Sequence, residues 1–551
     1  MNSGNPVDRL DSWKEIASYL RRDVRTVQRW EKKEGLPVYR HLHDKLGSIY
    51  AYRNELTQWF NTRQQSGAAA ATGNRQEGSA EKIKLAVLPF GNLSGAKEDD
   101  YFSDGLTEEM ITQITRLQSP DLAVIARTTA EHYDSSSKSL EQMKKELGVG
   151  YVLEGKVRRG GNRVRITAQL IQLKDQTQLW AETYERDLSD VLSVQAGIAQ
   201  AIAREINLAL NLSERTRLSD LQKGQARVQP AAYDAYLKAR YNLHQMKPAA
   251  LTRSIEDFER AIQMDPNYAP AYAGLASAHA LLAIAPFDCL PPHEAMPKAE
   301  AAARKSLELD SSFAEAHTAL ALVNHHYHWK WKEAEAGYEE AIELNPDHAD
   351  THLWYSWMLL ALGRRDHAFD EIEQTMGIVQ ETDPHRLVTV HTTRAAAYYF
   401  GREYQRAVEE CEKAEQLDPE YFMLHFIAGR AHMRLNNYAK AIKHLKTAIG
   451  TGEMPLMEAA LGLAYAVSGK KGLTQKLAEQ FKAAAKKRYI PPTYFGMLFA
   501  GLGDRDKALE WLEKAFQERA DGLTWLNVEP MLDEVRNDPR FQDLIRRIGL
   551  V

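Results

Sequence analysis

Residues 313–349 read FAEAHTALALVNHHYHWKWKEAEAGYEEAIELNPDHA. Two helical stretches are written into this run, and Asn345-Pro346 closes the second. Ala334 and Ala341 stand two helical turns apart, so both fall on one face. The same alanine spacing recurs at Ala407 and Ala414, at Ala441 and Ala448, and at Ala508 and Ala515. The Asp/Asn-Pro punctuation recurs at Asp265-Pro266, Asp383-Pro384 and Asp418-Pro419, with Asp310 in a degenerate version. Small residues let paired helices approach closely. Proline is expected to end one hairpin and to start the next at its first helical position. Self-similarity at a variable period of roughly 35–45 residues marks a repeat architecture.

These features, with YFGREYQRAVEECEKAEQLDPEYFMLHFIAGRAHMRLNNYAKAIKHLKTA and GLGDRDKALEWLEKAF further on, resemble tetratricopeptide repeats. The resemblance covers residues 230–520 and implies about seven units, stacked into a superhelix whose concave face takes a protein or peptide partner. Residues 521–551 contain Asp538-Pro539-Arg540-Phe541 and are expected to cap the open end, since terminal repeats need a polar outer face. His325-His326-Tyr327-His328 invites a metal reading, but no carboxylate or cysteine stands at ligand spacing. The run therefore reads as polar residues at a helix end. Trp354, Trp357, Tyr398, Tyr399 and Phe400 lie at helical spacing and read as core.

Upstream of Pro230, a polar stretch at residues 211–229 reads as a linker. Before it, residues 82–210 mix strands and helices. Lys84–Phe90 and Leu122–Ala126 read as buried strands, and Ser103–Leu117 and Ser139–Leu147 as helices. Tyr151–Arg158, Val164–Leu173 and Gln178–Arg186 alternate with period two around turns, which predicts a three-stranded meander. A helix over Leu188–Leu210 completes an α/β domain of helices on a sheet. The phrases IKLAVLPFGNLSG, YFSDGLTEEMITQIT, GVGYVLEGKVRR and VRITAQLIQLKDQTQLWAETYERDL resemble the N-terminal domain of TolB and its cytoplasmic relatives. TolB itself is periplasmic with a propeller behind this domain. No propeller blades follow here, so that role does not carry over. Gly91–Gly95 reads as a turn and lacks phosphate-loop spacing. Asp99, Asp100, Asp104, Glu108 and Glu109 read as helix N-terminal charge and a solvated face.

Residues 65–81, QSGAAAATGNRQEGSAE, read as a flexible linker. Ahead of them, residues 1–65 hold 12 Lys/Arg and 8 Asp/Glu, net +4, which leaves −9 for the rest of a chain of net charge −5. A basic head on an acidic body is the pattern of a protein whose head alone touches nucleic acid. Ser12-Trp-Lys-Glu15 is a capping box that opens a helix with Trp13, Ile16, Ala17 and Leu20 on its apolar side. Asp23 caps a second helix that Gly35 and Pro37 stop. Val27 and Trp30 face inward there. A hairpin from Val38–His43 to Ser48–Tyr52 follows, and a helix over Arg53–Phe60 closes the core with Leu56, Trp59 and Phe60.

The run SWKEIASYLRRDVRTVQRWEKKEGLPVYRH, with GSIYAYRNELTQWF behind it, resembles the winged helix-turn-helix of MerR and excisionase-type proteins. That resemblance implies double-stranded DNA as the partner of residues 1–64. It sets Arg25, Thr26 and Arg29 where base contacts are made, on a helix whose outer face also carries Gln28 and Lys32. Arg40, His43 and Lys45 fall on the wing. Arginine reads guanine and glutamine reads adenine by paired hydrogen bonds. A basic helix is also often only a solvated face. One such domain has a small footprint, so site specificity calls for a homodimer reading two half-sites.

The chain thus reads as multidomain: a small winged helix-turn-helix, an α/β domain, then an all-α tetratricopeptide solenoid. Two cysteines, Cys289 and Cys411, build no disulfide framework or four-cysteine zinc site, and fit a reducing cytoplasm. The N-terminus has no basic segment followed by an apolar run, and no stretch is long and apolar enough for a membrane. No GxSxG, Walker loop, HExxH or kinase set is present. Neither a catalytic residue, a metal nor a cofactor is expected. The reading is a bacterial cytoplasmic transcriptional regulator with a sensing or dimerising middle domain. The alternative is a protein-interaction scaffold whose head is not used for DNA.

Overall fold

A computed structural model of the chain describes residues 9–10, 12–20, 36–40, 49–59, 83–94, 100–115, 122–125, 140–160, 163–187, 229–382, 386–450 and 454–550, save Asn54 and Gln58, with single positions such as Val27, Glu31, Val194 and Ile198 between. It divides into two compact units, residues 1–81 and 82–551.

In the first unit, β1 (Arg9–Leu10), β2 (Tyr39–Arg40) and β3 (Ile49–Tyr52) form an antiparallel sheet in the order β1-β3-β2. The expected hairpin is the β2–β3 pair, with Tyr39 opposite Tyr50 and Arg40 opposite Ile49. Helix α1 (Trp13–Leu20) opens as its capping box predicts: the Glu15 amide donates to Ser12 Oγ at 3.2 Å. Ile16, Val27, Leu36, Ile49, Ala51 and Leu56 make the core, with Trp13 and Trp59 packed against it. The Tyr19 hydroxyl meets Thr57 Oγ1 at 2.6 Å and ties α1 to the helical residues after β3. Trp30 and Phe60, and the linker at 65–81, lie outside the described residues.

The second unit begins with a mixed sheet, β6-β4-β7-β8-β9, from β4 (Ile83–Val87), β5 (Gly91–Asn92), β6 (Leu122–Ile125), β7 (Tyr151–Gly160), β8 (Arg163–Gln172) and β9 (Thr177–Asp187). β6, β4 and β7 are parallel, and β7, β8 and β9 form the expected meander. Part of the segment read as a turn, Gly91–Asn92, is instead the strand β5 and lies parallel to β7. Alternation along β4 assigns its two faces. Leu85 and Val87 pack with Phe102, Leu106, Met110 and Ile114 of α2 (Asp100–Thr115), and with Val194 and Ile198. Ala86 and Leu88 pack with Met143 of α3 (Leu140–Leu147). Helices on both faces explain why β4 reads as a continuous apolar run.

From Pro230 the described residues form eight hairpins. They are α4 (Pro230–His244) with α5 (Pro248–Met264), α6 (Ala269–Ala283) with α7 (Pro292–Leu309), and α8 (Ala314–Val323) with α9 (Trp331–Leu344). Next come α10 (Ala349–Ala361) with α11 (Arg365–Thr382), α12 (Leu387–Phe400) with α13 (Tyr404–Leu417), and α14 (Phe422–Arg434) with α15 (Tyr438–Ile449). The last are α16 (Pro455–Val467) with α17 (Lys471–Ala484) and α18 (Pro492–Leu502) with α19 (Arg505–Gln517), and α20 (Pro539–Arg547) follows them. All eight alanines of the spaced pairs are fully buried. They seat the second helices of four hairpins, α9, α13, α15 and α19, against their neighbours.

The prolines of the punctuation do not start helices. Pro266, Pro346 and Pro419 sit in turns, three positions ahead of the next helix. The preceding acid explains why: Asp265 Oδ1 accepts from the Asn267 amide at 3.1 Å, and Asp418 Oδ1 from Glu420 at 2.9 Å. Such Asx turns use proline's fixed φ inside the turn. Asp383-Pro384 lies outside the described residues.

The α/β layer and the first hairpin share one core. Ala232, Tyr233, Tyr236 and Leu237 of α4 belong to the cluster that holds Leu85, Phe102 and Ile166. Gly105 on α2 lets α4 approach, since a Cβ there would stand 2.7 Å from Leu237. A polar latch flanks the contact: Tyr101 donates to Asp234 at 2.5 Å, and Arg159 pairs with the same carboxylate.

Candidate functional site

In the head, the structure locates few of the residues expected to read DNA. Arg25, Thr26, Gln28, Arg29, Lys32, His43 and Lys45 lie outside the described residues. Arg40 is described by its backbone alone, on β2. Val27, in the middle of the same segment, is helical and fully buried. The sequence reading missed β1 and the aromatic cluster on the sheet. Tyr39 and Tyr50 stack at 5.4 Å, Tyr52 meets Tyr50 edge-on at 5.8 Å, and the Arg9 guanidinium lies 5.2 Å from the Tyr50 ring. Alternation along β3 carries the signal: Ile49 and Ala51 point inward, which leaves Tyr50 and Tyr52 on the other face.

In the second unit, a cavity of about 1440 Å³ opens on the inner side of the repeats. Ile111, Ile114, Leu122 and Val124 of the α/β domain form one wall. First helices of successive hairpins form another, with Leu353, Trp354 and Trp357 of α10, Phe400 of α12 and Arg430 of α14. Trp354, Trp357 and Phe400 are therefore half-buried wall residues of a groove, whereas Tyr398 and Tyr399 are core as expected.

The third wall is the C-terminal segment. Residues 521–535 cover the last hairpin, with Leu523, Leu526, Met531, Leu532 and Val535 buried in the core that also holds Tyr494, Phe495, Leu498 and Leu512, and the same segment turns inward along the repeats. A 3-10 turn, Asp521–Trp525, and a second, Pro530–Leu532, carry the chain along the inner side. Asp521 Oδ1 meets His326 Nδ1 at 2.5 Å, and its other oxygen accepts from the Ala285 amide at 3.0 Å. Trp525 lies flat on Phe400 at 5.2 Å and edge-on to Trp357 at 5.5 Å. Glu529 pairs with Arg430 and accepts from the Tyr399 hydroxyl at 3.0 Å. Asp533 takes a two-pronged contact from Arg402, at 2.5 and 2.9 Å, and a third from Arg434 at 3.2 Å.

The histidine run ends α8, as its reading placed it, but it is not a solvated end. Asn324–His328 form one π-turn, and His325 and His326 are buried. Burial holds His325 well below the ordinary histidine range, so it stays neutral. Asp288 is buried beside this cluster and accepts from the Tyr494 hydroxyl. Burial, reinforced by the Asp521 charge, pushes its carboxyl up to about 8. Cys289 is pushed up to about 11, mainly by burial, which leaves it a poor nucleophile. Among the described residues no three His, Cys, Asp or Glu side chains are grouped to hold a metal ion. No described helix is long and apolar enough to cross a membrane.

Residues 81–201 match the family model described as HilA/YgeH-like transcriptional regulator, second domain. The match falls on the stretch read from the sequence as TolB-like, and it is to the HilA/YgeH-like domain. Residues 392–454 match a tetratricopeptide repeat model. The chain is 36% identical over 195 residues to a putative adenylate cyclase 3 of Rhizobium meliloti, covering 35% of this chain and 32% of that one. It is 24% identical over 320 residues to the transcriptional regulator HilA of Salmonella typhimurium, covering 57% of this chain and 53% of that one. The chain thus spans about a third to a half of the length of these curated relatives. Among solved structures it is similar to Pseudomonas aeruginosa pilF, at 19% identity and a TM-score of 0.31, over 40% of this chain and 94% of that one. The chain carries a HilA-like regulator domain followed by tetratricopeptide repeats.

Proposed function

We propose that this protein is a DNA-binding transcriptional regulator, with DNA held by residues 1–64 and a protein partner docked on the repeats. The observation that carries the reading is the HilA/YgeH-like regulator domain at 81–201, placed directly behind a basic head of net charge +4. Arg25, Thr26, Gln28, Arg29 and Lys32 are the proposed groove-reading residues. Arg40, His43 and Lys45 are the proposed backbone contacts from the hairpin. The buried, helical Val27 supports this assignment, because it is a position that the sequence pattern turns inward, away from the proposed reading residues. The middle domain is proposed to sense a signal or to dimerise the chain. The cyclase relative shares only 195 aligned residues with this chain, and its name stays with that protein.

The test is duplex DNA retention by the full chain across a salt series, together with genome-wide mapping of bound sites. Binding should weaken steeply with salt, since phosphate contacts release counterions. Arg25→Ala with Arg29→Ala should erase site preference if these residues read bases. A uniform loss of affinity across sequences would make them phosphate contacts instead. No retention even at low salt sinks the DNA reading and leaves the scaffold.

A further inference from the structure

The C-terminal segment meets the repeats with its polar and aromatic anchors at a fixed interval. Asp521, Trp525, Glu529 and Asp533 stand four residues apart. Each meets a receptor group distant in sequence: His326 at a separation of 195 residues, Arg430 at 99 and Arg402 at 131. Phe400 and Trp357 hold the tryptophan between the first acid and the second.

Arg430 shows what the groove is built to receive. Its side chain is 4% exposed, on a helix whose other buried residues are apolar apart from His425 and His432. The guanidinium lies 4.1 Å from the Tyr399 ring centre and 4.8 Å from that of Phe426. A guanidinium buried under aromatic rings without a counter-charge is strongly destabilising, so the nest demands a carboxylate. Glu529 supplies it from the far end of the chain. Arg402 and Arg434 repeat the demand at the rim. Beyond Asp521 the cavity continues along α10 and α8 towards the α/β domain.

We infer that the inner face of these repeats is a receptor for a short turn-rich segment bearing acid, tryptophan, acid and acid at four-residue intervals, and that residues 521–533 are its resident, intramolecular occupant. A partner protein carrying an exposed segment of that chemistry is the ligand class that takes the segment's place. The inference rests on the docking role proposed for the repeats and names the chemistry of the partner.

The experiment uses the full chain with Trp525→Ala and Glu529→Gln, which loosen the resident segment, and a fluorescein-labelled peptide of residues 519–536. The variant should bind the peptide at least ten-fold more tightly than the wild type does. Replacing the peptide's own Trp525 by Ala, or Glu529 by Gln, should weaken that binding ten-fold or more, and so should Arg430→Met in the protein. A folded variant that gains no binding overturns the proposal. Equal binding of the substituted peptides overturns the acid-and-tryptophan chemistry while leaving docking on the repeats in place. Hydrogen exchange on the wild type covers the case of a variant that does not fold. The amides of 521–533 should exchange at least ten-fold faster than those of α12 and α14. Protection equal to those helices makes the segment permanent core and overturns the proposal. DNA retention is measured apart, so loss of either reading is seen by itself.

Discussion

Arg430 and Glu529 form a buried ion pair, each side chain 4% exposed. Removing one partner strands the other charge, which costs about 3–5 kcal/mol. Removing both together costs much less, because a buried pair has already spent most of its attraction on desolvation. Arg430→Met should therefore be severely destabilising in denaturant unfolding. Arg430→Met with Glu529→Leu should recover at least half of that loss. Strict additivity of the two single losses would show that the pair is not coupled. A second residue-scale consequence concerns pH. His279 is buried and is held down to about 4, mainly by desolvation. The unfolded chain takes up that proton first, so stability falls as pH drops from about 6.5 towards 4. Asp288 runs the other way. Its folded carboxyl titrates near 8, so its contribution is full below the unfolded value of about 4 and is lost as pH rises through 8. Asp288→Asn should flatten the alkaline loss and raise the Tm at pH 8 relative to wild type. The acid-side loss should remain. An unchanged alkaline limb in thermal melts would remove Asp288 from this account.

Between successive hairpins, close approach is set by single small residues. Gly274 on α6 faces the Phe258 ring of α5, and a Cβ there would lie 2.2 Å from the ring. Gly274→Ala should cost about 1–3 kcal/mol by overpacking, and Phe258→Leu should relieve part of it. Equal unfolding midpoints for Gly274→Ala and wild type would mean that the packing between these two hairpins has slack. This local logic is what made the repeats legible: each alanine pair lies on one helix and each Asp-Pro turn joins two helices adjacent in sequence, so short-range spacing reveals them. The meander was legible for the same reason, through turns at Gly160–Asn162 and Asp175–Thr177 and period-two alternation. Elements stabilised from far away were not. β1 is two residues long and exists because β3 pairs with it. His325 and His326 look like surface residues until Asp521 arrives from 195 residues downstream. Residues 521–535 have the composition of an end cap, and nothing local says that they turn inward. Of the candidate DNA site, the sequence supplies the charge and spacing of the residues, and the structure adds the burial of Val27.

Across the second unit, the α/β sheet and the first hairpin are joined by packing. Tyr233, Tyr236 and Leu237 of α4 are buried in the core that also holds Leu85, Val87 and Phe102. The matched regulator domain ends at residue 201, but its apolar cluster extends to Tyr268 and Ala271 in the repeats. A domain that senses a signal can reach the repeats through such a contact, because packed interfaces shift between discrete arrangements and deform little. The junction is narrow at Gly105, where α2 and α4 touch. Gly105→Val should force the two helices apart and cost about 1–3 kcal/mol. If the core couples the layers, the loss is shared. Hydrogen exchange of β7 and of α6 should rise together, and thermal unfolding should remain one transition at a lower Tm. Leu237→Ala in the same chain should make room for the valine and restore part of the loss. If β7 loses protection while α6 keeps its own, the α/β domain and the repeats are separate cooperative units. A signal sensed in the one would then have no packed route to the other.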